Sequence, residues 1–164
     1  MFRKMRRSKQ ELSQKETLDI IENSTSGVLA LAGDDGYPYA VPISHVYCDG
    51  KLYFHSATEG HKVDSIKRCA KASFCVISQD EVVPERYTTH YKSAIAFGDM
   101  RIVEDEREKI EILRKLGMRF APNNTEEMLS KEITESLKRT AVLEMTIEHL
   151  TGKESRELME MRNK

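Results

Sequence analysis

The sequence predicts a mainly β protein with α-helices, built as a six-stranded antiparallel barrel with flanking helices. Three observations predict it. Six short apolar runs have strand character. Two tight-turn sequences, "DDGYP" and "CDG", fall between residues 27 and 57, and consecutive hairpins build an antiparallel meander rather than βαβ units. Helical spacing is confined to stretches before, between and after these runs. Six antiparallel strands joined by tight turns leave exposed sheet edges unless the sheet closes, and a small barrel removes them. The interior of such a barrel is filled by side chains, so a sizeable ligand has to bind outside it or between subunits.

The elements follow in order. "SQKETLDIIENS" places Leu18, Ile20 and Ile21 on one helical face, and Ser13 with Glu16 forms a capping box. "GVLALAG" is the first strand and "DDGYP" its turn. "YAVPISHVY" alternates as the second strand and carries Pro42. "CDG" turns the chain into "KLYFHSA", the third strand. On that strand Leu52, Phe54 and Ser56 face one side, and Tyr53, His55 and Ala57 the other. "HKVDSIKRC" is a short helix with Val63 and Ile66 inward, and "ASFCVIS" is the fourth strand.

"DEVVPERYTTHY" reads as a loop or irregular edge, and "SAIAFGDMRIVED" as a long strand in which Gly98 marks a bend or bulge. A helical pattern runs from Asp105 to Lys138, with Ile110, Leu113 and Leu116 at helical spacing. "PNNT" breaks it, with Asn124 or Thr125 as the next cap. "AVLEMTIEHL" is the sixth strand, with Leu143, Met145, Ile147 and His149 on one face. The tail "TGKESRELMEMRNK" forms a last short helix.

Composition bounds the function. The chain has 164 residues, of which 32% are charged, yet its net charge is −1, so nothing pulls it globally toward nucleic acid or an anionic membrane. There is no apolar run near the ~20 residues that a transmembrane helix needs. Residues 1–12 read as a flexible basic arm, and residues 13–164 as one domain. "MFRKMRRSK" is not followed by the apolar stretch of a secretory signal. Cys48, Cys69 and Cys75 are odd in number and lack C-x-x-C spacing, which fits reduced thiols and a cytoplasmic location. The five histidines match no compact metal-ligand spacing, so no metal site is predicted.

The densest chemistry lies in "YFHSATEGHK", residues 53–62, at a strand-to-helix junction. Ser56 and Thr58 offer hydroxyls. Gly60, His61 and Lys62 start the next helix, where free N–H groups and a partial positive charge favour an anion. Together they make a phosphate seat, although neither nucleotide-binding glycine pattern is present. An N-cap with a solvated lysine would look the same. His45 and His55 lie on neighbouring strands of one hairpin and are read as lining one surface.

"GYPYAVPISHVYCDGKLYFHSATEGHKVDSIKR", with "YKSAIAFGDMRIVED" and "TAVLEMTIEHLTGKE", resembles the 5-nitroimidazole-resistance-type flavoproteins of the pyridoxamine 5′-phosphate oxidase-like group. The resemblance runs from about Met5 to Glu157. It implies a six-stranded FMN-binding split barrel, paired as a homodimer with FMN at the interface. It further implies that His61 and Lys62 sit near the phosphate, with Ser56 and Thr58 as hydroxyl donors. Pro42, Ile43 and Ser44 would lie along the flavin ring. Tyr91 and Ser93 would border the site, and Gly152 and Lys153 would approach from the other subunit. His55 matches a histidine near the flavin with a proposed catalytic role, and an imidazole's ordinary titration range suits a proton donor.

The activity implied is FMN-dependent reduction of a small-molecule acceptor, nitroimidazole reductase in type, with a reduced nicotinamide as transient donor. The alternatives are a flavin-binding redox sensor without turnover, and a haem-binding barrel with His45, His55 or His61 as axial ligand. Two departures stand out. The family's tryptophan before "GK" is replaced by His149-Leu150-Thr151. The arginine-rich motifs of true pyridoxamine-phosphate oxidases are missing, which disfavours vitamin B6 oxidation.

Overall fold

The computed structural model describes residues 1–162. It contains one antiparallel sheet of seven strands: β1 (Ser26–Ala32), β2 (Pro38–Ser44), β3 (Val46–Cys48), β4 (Lys51–Ala57), β5 (Lys71–Val83), β6 (Thr88–Ile102) and β7 (Thr140–Glu154). The helices are α1 (Gln14–Asn23), α2 (His61–Arg68), α3 (Glu106–Phe120), α4 (Glu126–Ser136) and α5 (Arg156–Arg162). The tail helix expected to run to the end is described only as far as Arg162; the last two residues lie outside the described residues.

The strand order is β2-β1-β5-β6-β7-β4-β3. The outermost strands, β2 and β3, are separated in the chain by His45 alone. A sheet whose two ends are joined by one residue has to curl until they meet. This also explains why there are seven strands rather than six: "YAVPISHVY" divides at His45 and changes partner, from β1 to β4. Pairing of β3 with β4 ends at Val46↔Tyr53. Beyond it β2 pairs with β1 and β4 with β7, so the facing edges of β2 and β4 have no strand between them and the barrel is split. Pro42, with no N–H to donate, sits on such an edge strand, as expected.

The interior is full. Leu29, Phe54, Phe74, Val76, Leu143 and Met145 are completely buried in one cluster, to which α1 adds Ile20 and Ile21 and α2 adds Ile66. The predicted capping box starts α1: the Ser13 N–H donates to Glu16 Oε2 (2.9 Å) and the Glu16 N–H donates to Ser13 Oγ (3.2 Å). Hydrogen bonds from the Ser13 hydroxyl and N–H, joined by Arg162, hold Glu16 down at about 2. The Asp49-Gly50 hairpin turn has both φ values positive, the type I′ geometry that this dipeptide favours.

The stretch 80–91, expected as a loop, instead lengthens two strands. Pairing of β5 with β6 continues to Val83↔Thr88. The β-branched residues Val82, Val83, Thr88 and Thr89 favour a ladder, so only Pro84–Arg86 and Tyr87 are left to turn. A bulge beside Gly98 is present on the partner strand: Phe97 pairs with His149 and Gly98 with Ile147, leaving Glu148 unopposed. The extra residue reverses the inside-outside parity of β7. His149 therefore does not share the inner face of Leu143 and Met145; Leu150 enters the core instead.

The break between α3 and α4 falls at the expected "PNNT", with Asp105 and Thr125 as caps. The buried face of α3 is Ile112 and Leu116, and Leu113 is only partly covered. With Val46, Tyr53, Val103 and Val142 they cover the outer surface of β3, β4 and the start of β7. Under this cover Glu144 is 2% exposed. Its carboxylate accepts from Arg101 (2.9 and 2.7 Å) and Lys51 (3.0 Å). Burial opposes its charge, but these bonds outweigh burial and hold its titration below the usual carboxylate range.

Across the sheet the register aligns Pro42, Val28, Cys75, Ile95 and Thr151 in one row over five strands. Residues 1–12 lie against the barrel. Leu12 and Gln10 are buried, Glu11 bridges to Lys153, and the Phe2 ring stacks on His149 with centroids 4.5 Å apart. Among the described residues no helix is long and apolar enough to cross a membrane.

Candidate functional site

The named residues fall into two groups. The first flanks the split. Pro42, Ile43 and Ser44 occupy the end of β2, and His55 and Ser56 lie on the facing part of β4. Thr58 follows in the loop, and His61 and Lys62 open α2. Alternation on β4 is as predicted: Leu52 and Phe54 point into the core, Tyr53 packs under α3, and His55 is exposed. Gly60 turns the chain into α2 with φ 112° and no side chain caps the helix.

The polar groups at this helix start are uncommitted. Among the described residues the Ser56 and Thr58 hydroxyls, the His55 imidazole and the Lys62 ammonium make no hydrogen bond or ion pair. Lys62 is half-buried, and burial pushes its titration down from the ordinary lysine range. A partly desolvated cation without a counter-ion, two spare hydroxyls and uncapped N–H groups fit a dianionic phosphate. The unpaired edges of β2 and β4 add backbone donors and acceptors of the kind a planar heterocycle's polar rim can meet.

His61 is less free than its neighbours. Its ring stacks on Tyr39, with centroids 4.0 Å apart and planes 19° from parallel, and its Nε2 lies 3.4 Å from Asp34 Oδ2. Asp34 also holds Arg68 at 2.8 Å. Tyr39 and Asp34 were not singled out in the sequence. Their place in the turn and strand before the site was the available signal, but only folding brings them to α2.

His45 does not join His55 on one surface. It is 0% exposed, its Nε2 lies 2.8 Å from the carbonyl oxygen of Ile21, and its ring meets Phe74 edge-on. The strand break places it at the barrel's corner, pointing inward, where it is closed off as a ligand for any group bound outside. Among the described residues no three His, Cys, Asp or Glu side chains converge as a metal site.

The second group lies at the far end of β6 and β7. Ser93 pairs with Lys153 and Ala94 with Gly152. The Lys153 ammonium lies over the Tyr91 ring, 5.5 Å from its centroid. Gly152 is buried under α1, where an added Cβ would come within 2.3 Å of Thr17 Oγ1. Along β7 the β4 part of the first group is distant from the second: Ser56 is opposite Ala141 and Ser93 is opposite Lys153, twelve residues on, roughly 40 Å of strand. Pro42 lies nearer, in the row that crosses the sheet to Thr151.

A split antiparallel barrel with uncommitted polar groups along its split is one class of ligand-binding fold. The pattern that defines the pyridoxamine 5′-phosphate oxidase family matches residues 13–154, and the chain belongs to that family. No curated protein sequence matches the chain. Solved structures do. A candidate 5-nitroimidazole antibiotic resistance protein from Bacteroides thetaiotaomicron superposes with a TM-score of 0.75 at 20% identity, covering 87% of this chain and 85% of that one. The conserved hypothetical protein Rv2991 from Mycobacterium tuberculosis gives 0.80 at 18% identity, covering 94% and 92%. An FAD- and haem-binding protein from Mycobacterium smegmatis gives 0.71 at 22% identity, covering 90% and 74%. At these identities the likeness is one of fold.

Proposed function

We propose that the protein is an FMN-dependent oxidoreductase of the nitroimidazole-reductase type, a cytoplasmic homodimer with one flavin at each of two equivalent interface sites. The observation that carries the reading is the half-buried Lys62 at the start of α2, without an ion-pair partner among the described residues, with the free hydroxyls of Ser56 and Thr58 just before it in the chain. In a family whose neighbours in fold include flavin-binding proteins, that cluster supports a flavin phosphate.

The bound flavin supplies the electron-transfer chemistry, and the chain supplies position and electrostatics. Lys62 balances phosphate charge, and His61 is held beside it by Tyr39 and Asp34. The edge at Pro42, Ile43 and Ser44 orients the ring through backbone groups. His55, exposed and uncommitted, holds a proton at an imidazole nitrogen where an acceptor approaches. A reduced nicotinamide is the transient donor.

Two features support the homodimer. The distance along β7 from Ser56 to Ser93 and Lys153 supports a site in which Tyr91, Ser93 and Lys153 come from a second copy, with Gly152, buried under α1 of its own chain, shaping that edge through its backbone. The row from Pro42 to Thr151 also leaves an exposed, largely apolar face, with Val28 40% and Ile95 36% exposed. Light scattering should give twice the chain mass.

The deciding experiment is the visible absorption spectrum of the purified protein, before and after addition of FMN. The two bands of an oxidised flavin, bleached by a reduced nicotinamide and restored by a nitroaromatic faster than by oxygen alone, support the reading. Reoxidation by oxygen only would leave a flavin-binding sensor. A Soret band would favour haem, with the exposed His55 as the candidate ligand. A colourless protein that takes up no FMN sinks the assignment.

A further inference from the structure

An open groove of about 680 Å³ lies where the β5–β6 hairpin meets the segment before α1 and the start of α5. Its volume is in the range of small-molecule sites. Gln10 lines it while being only 5% exposed, and its Oε1 is buried with no hydrogen-bond partner. A buried carboxamide oxygen without a donor costs stability unless a ligand supplies one. Arg7 lines the same groove and makes no ion pair among the described residues. Arg156 joins it, bound through Nε to Glu160 (2.7 Å) with its terminal nitrogens uncommitted. Glu157 is the one acidic residue of the lining, and Arg6 and Lys9 continue the basic surface into the adjoining groove. Flat or apolar walls complete it: Val82, Pro84, Tyr87 and Tyr91.

The ligand that answers these features has a planar ring with an exocyclic amine, for Gln10 and the aromatic walls, and a phosphate for Arg7 and Arg156. We infer that this groove binds an adenosine phosphate. Tyr91 is shared between the groove and the Lys153 contact, so the site adjoins the second group of flavin-site residues. On the reading given under Proposed function, the adenosine phosphate is one half of a dinucleotide whose redox end reaches the flavin site. It is the adenosine half of either the nicotinamide donor or FAD itself.

Calorimetry with ADP, on the protein as purified and after FMN saturation, tests this. ADP should bind in both states, and Arg7→Ala should weaken it about tenfold or more, as loss of a charged hydrogen bond does. Gln10→Met should weaken ADP while leaving inorganic phosphate unaffected. FMN affinity, titrated separately, should be the same in all three proteins, so failure of the flavin reading shows in that titration alone. If Arg7→Ala weakens FAD relative to FMN, the source is FAD; if it weakens the reduced nicotinamide on FMN-loaded protein, the source is the donor. No ADP binding, an unchanged Arg7→Ala, or phosphate binding as tightly as ADP overturns the proposal.

Discussion

The imidazole of His45 locks α1 to the barrel: its Nε2 lies 2.8 Å from the carbonyl oxygen of Ile21, at the one residue where the chain leaves β2 for β3. Because Ile21 O accepts, Nε2 carries the proton, and Nδ1 is left buried without a partner. A second proton on Nδ1 would add a buried charge with nothing to receive it. Burial, outweighing the Ile21 bond and aided by the nearby Arg119 cation, therefore pushes the imidazole below its ordinary value near 6.5.

The sign of the pH effect follows. The unfolded chain takes up the proton more readily than the folded one, so His45 favours folding fully above about 6.5. That contribution is lost as pH falls through the depressed folded value. Thermal unfolding at steps from pH 8 to pH 5 should show a declining melting temperature below neutrality. His45→Gln should be less stable at pH 8 and should show a shallower decline. Parallel curves for the two proteins would remove His45 as the source.

Lys62→Ala should weaken FMN by about 1.5–3 kcal/mol, the usual cost of losing a charged hydrogen bond. The fold should be untouched, since Lys62 makes no hydrogen bond or ion pair among the described residues. Fluorescence titration of the flavin reads this directly. Unchanged affinity would place the phosphate elsewhere.

His55→Ala should leave FMN affinity within about twofold and lower turnover by about 10²-fold or more, the range typical of a lost general acid. The split is the diagnostic, because a merely structural histidine would move both or neither. Normal turnover with a nitroaromatic acceptor would make His55 an ordinary exposed strand residue.

Gly152→Ala should destabilise the fold by about 1–3 kcal/mol through overpacking, because its Cβ would fall 2.3 Å from Thr17 Oγ1 and 3.0 Å from Leu12 Cβ. Thr17→Ala removes the first obstacle, so the double variant should recover part of the loss. Strict additivity in a denaturation cycle would mean that α1 shifts as a whole instead.

Local chemistry made much of this molecule legible in advance. The Ser13–Glu16 box, the Asp49-Gly50 turn, the alternation of Leu52 and Phe54 against Tyr53 and His55, and the "PNNT" break each depend on residues within a few positions of one another. The cluster from Ser56 to Lys62 was legible for the same reason: its hydroxyls, helix start and lysine are consecutive in the chain. Tertiary structure decided what depends on pairing across the sheet. The break at His45 exists because one strand serves both ends of a closing sheet, and the bulge at Glu148 turned His149 outward. The 80–91 hairpin extends the long β5–β6 ladder, whose pairing carries the β-branched Val82, Val83, Thr88 and Thr89 past a segment that Pro84 marks as a turn. Likewise Tyr39 reached His61 and Glu144 met Arg101, contacts between residues whose separation in the chain carries no local signal. Sequence by itself determined most of the elements and the run of polar groups from Ser56 to Lys62, because these are short-range. Closure of the barrel determined which groups are left without partners, because only packing removes water from some polar atoms and not from others.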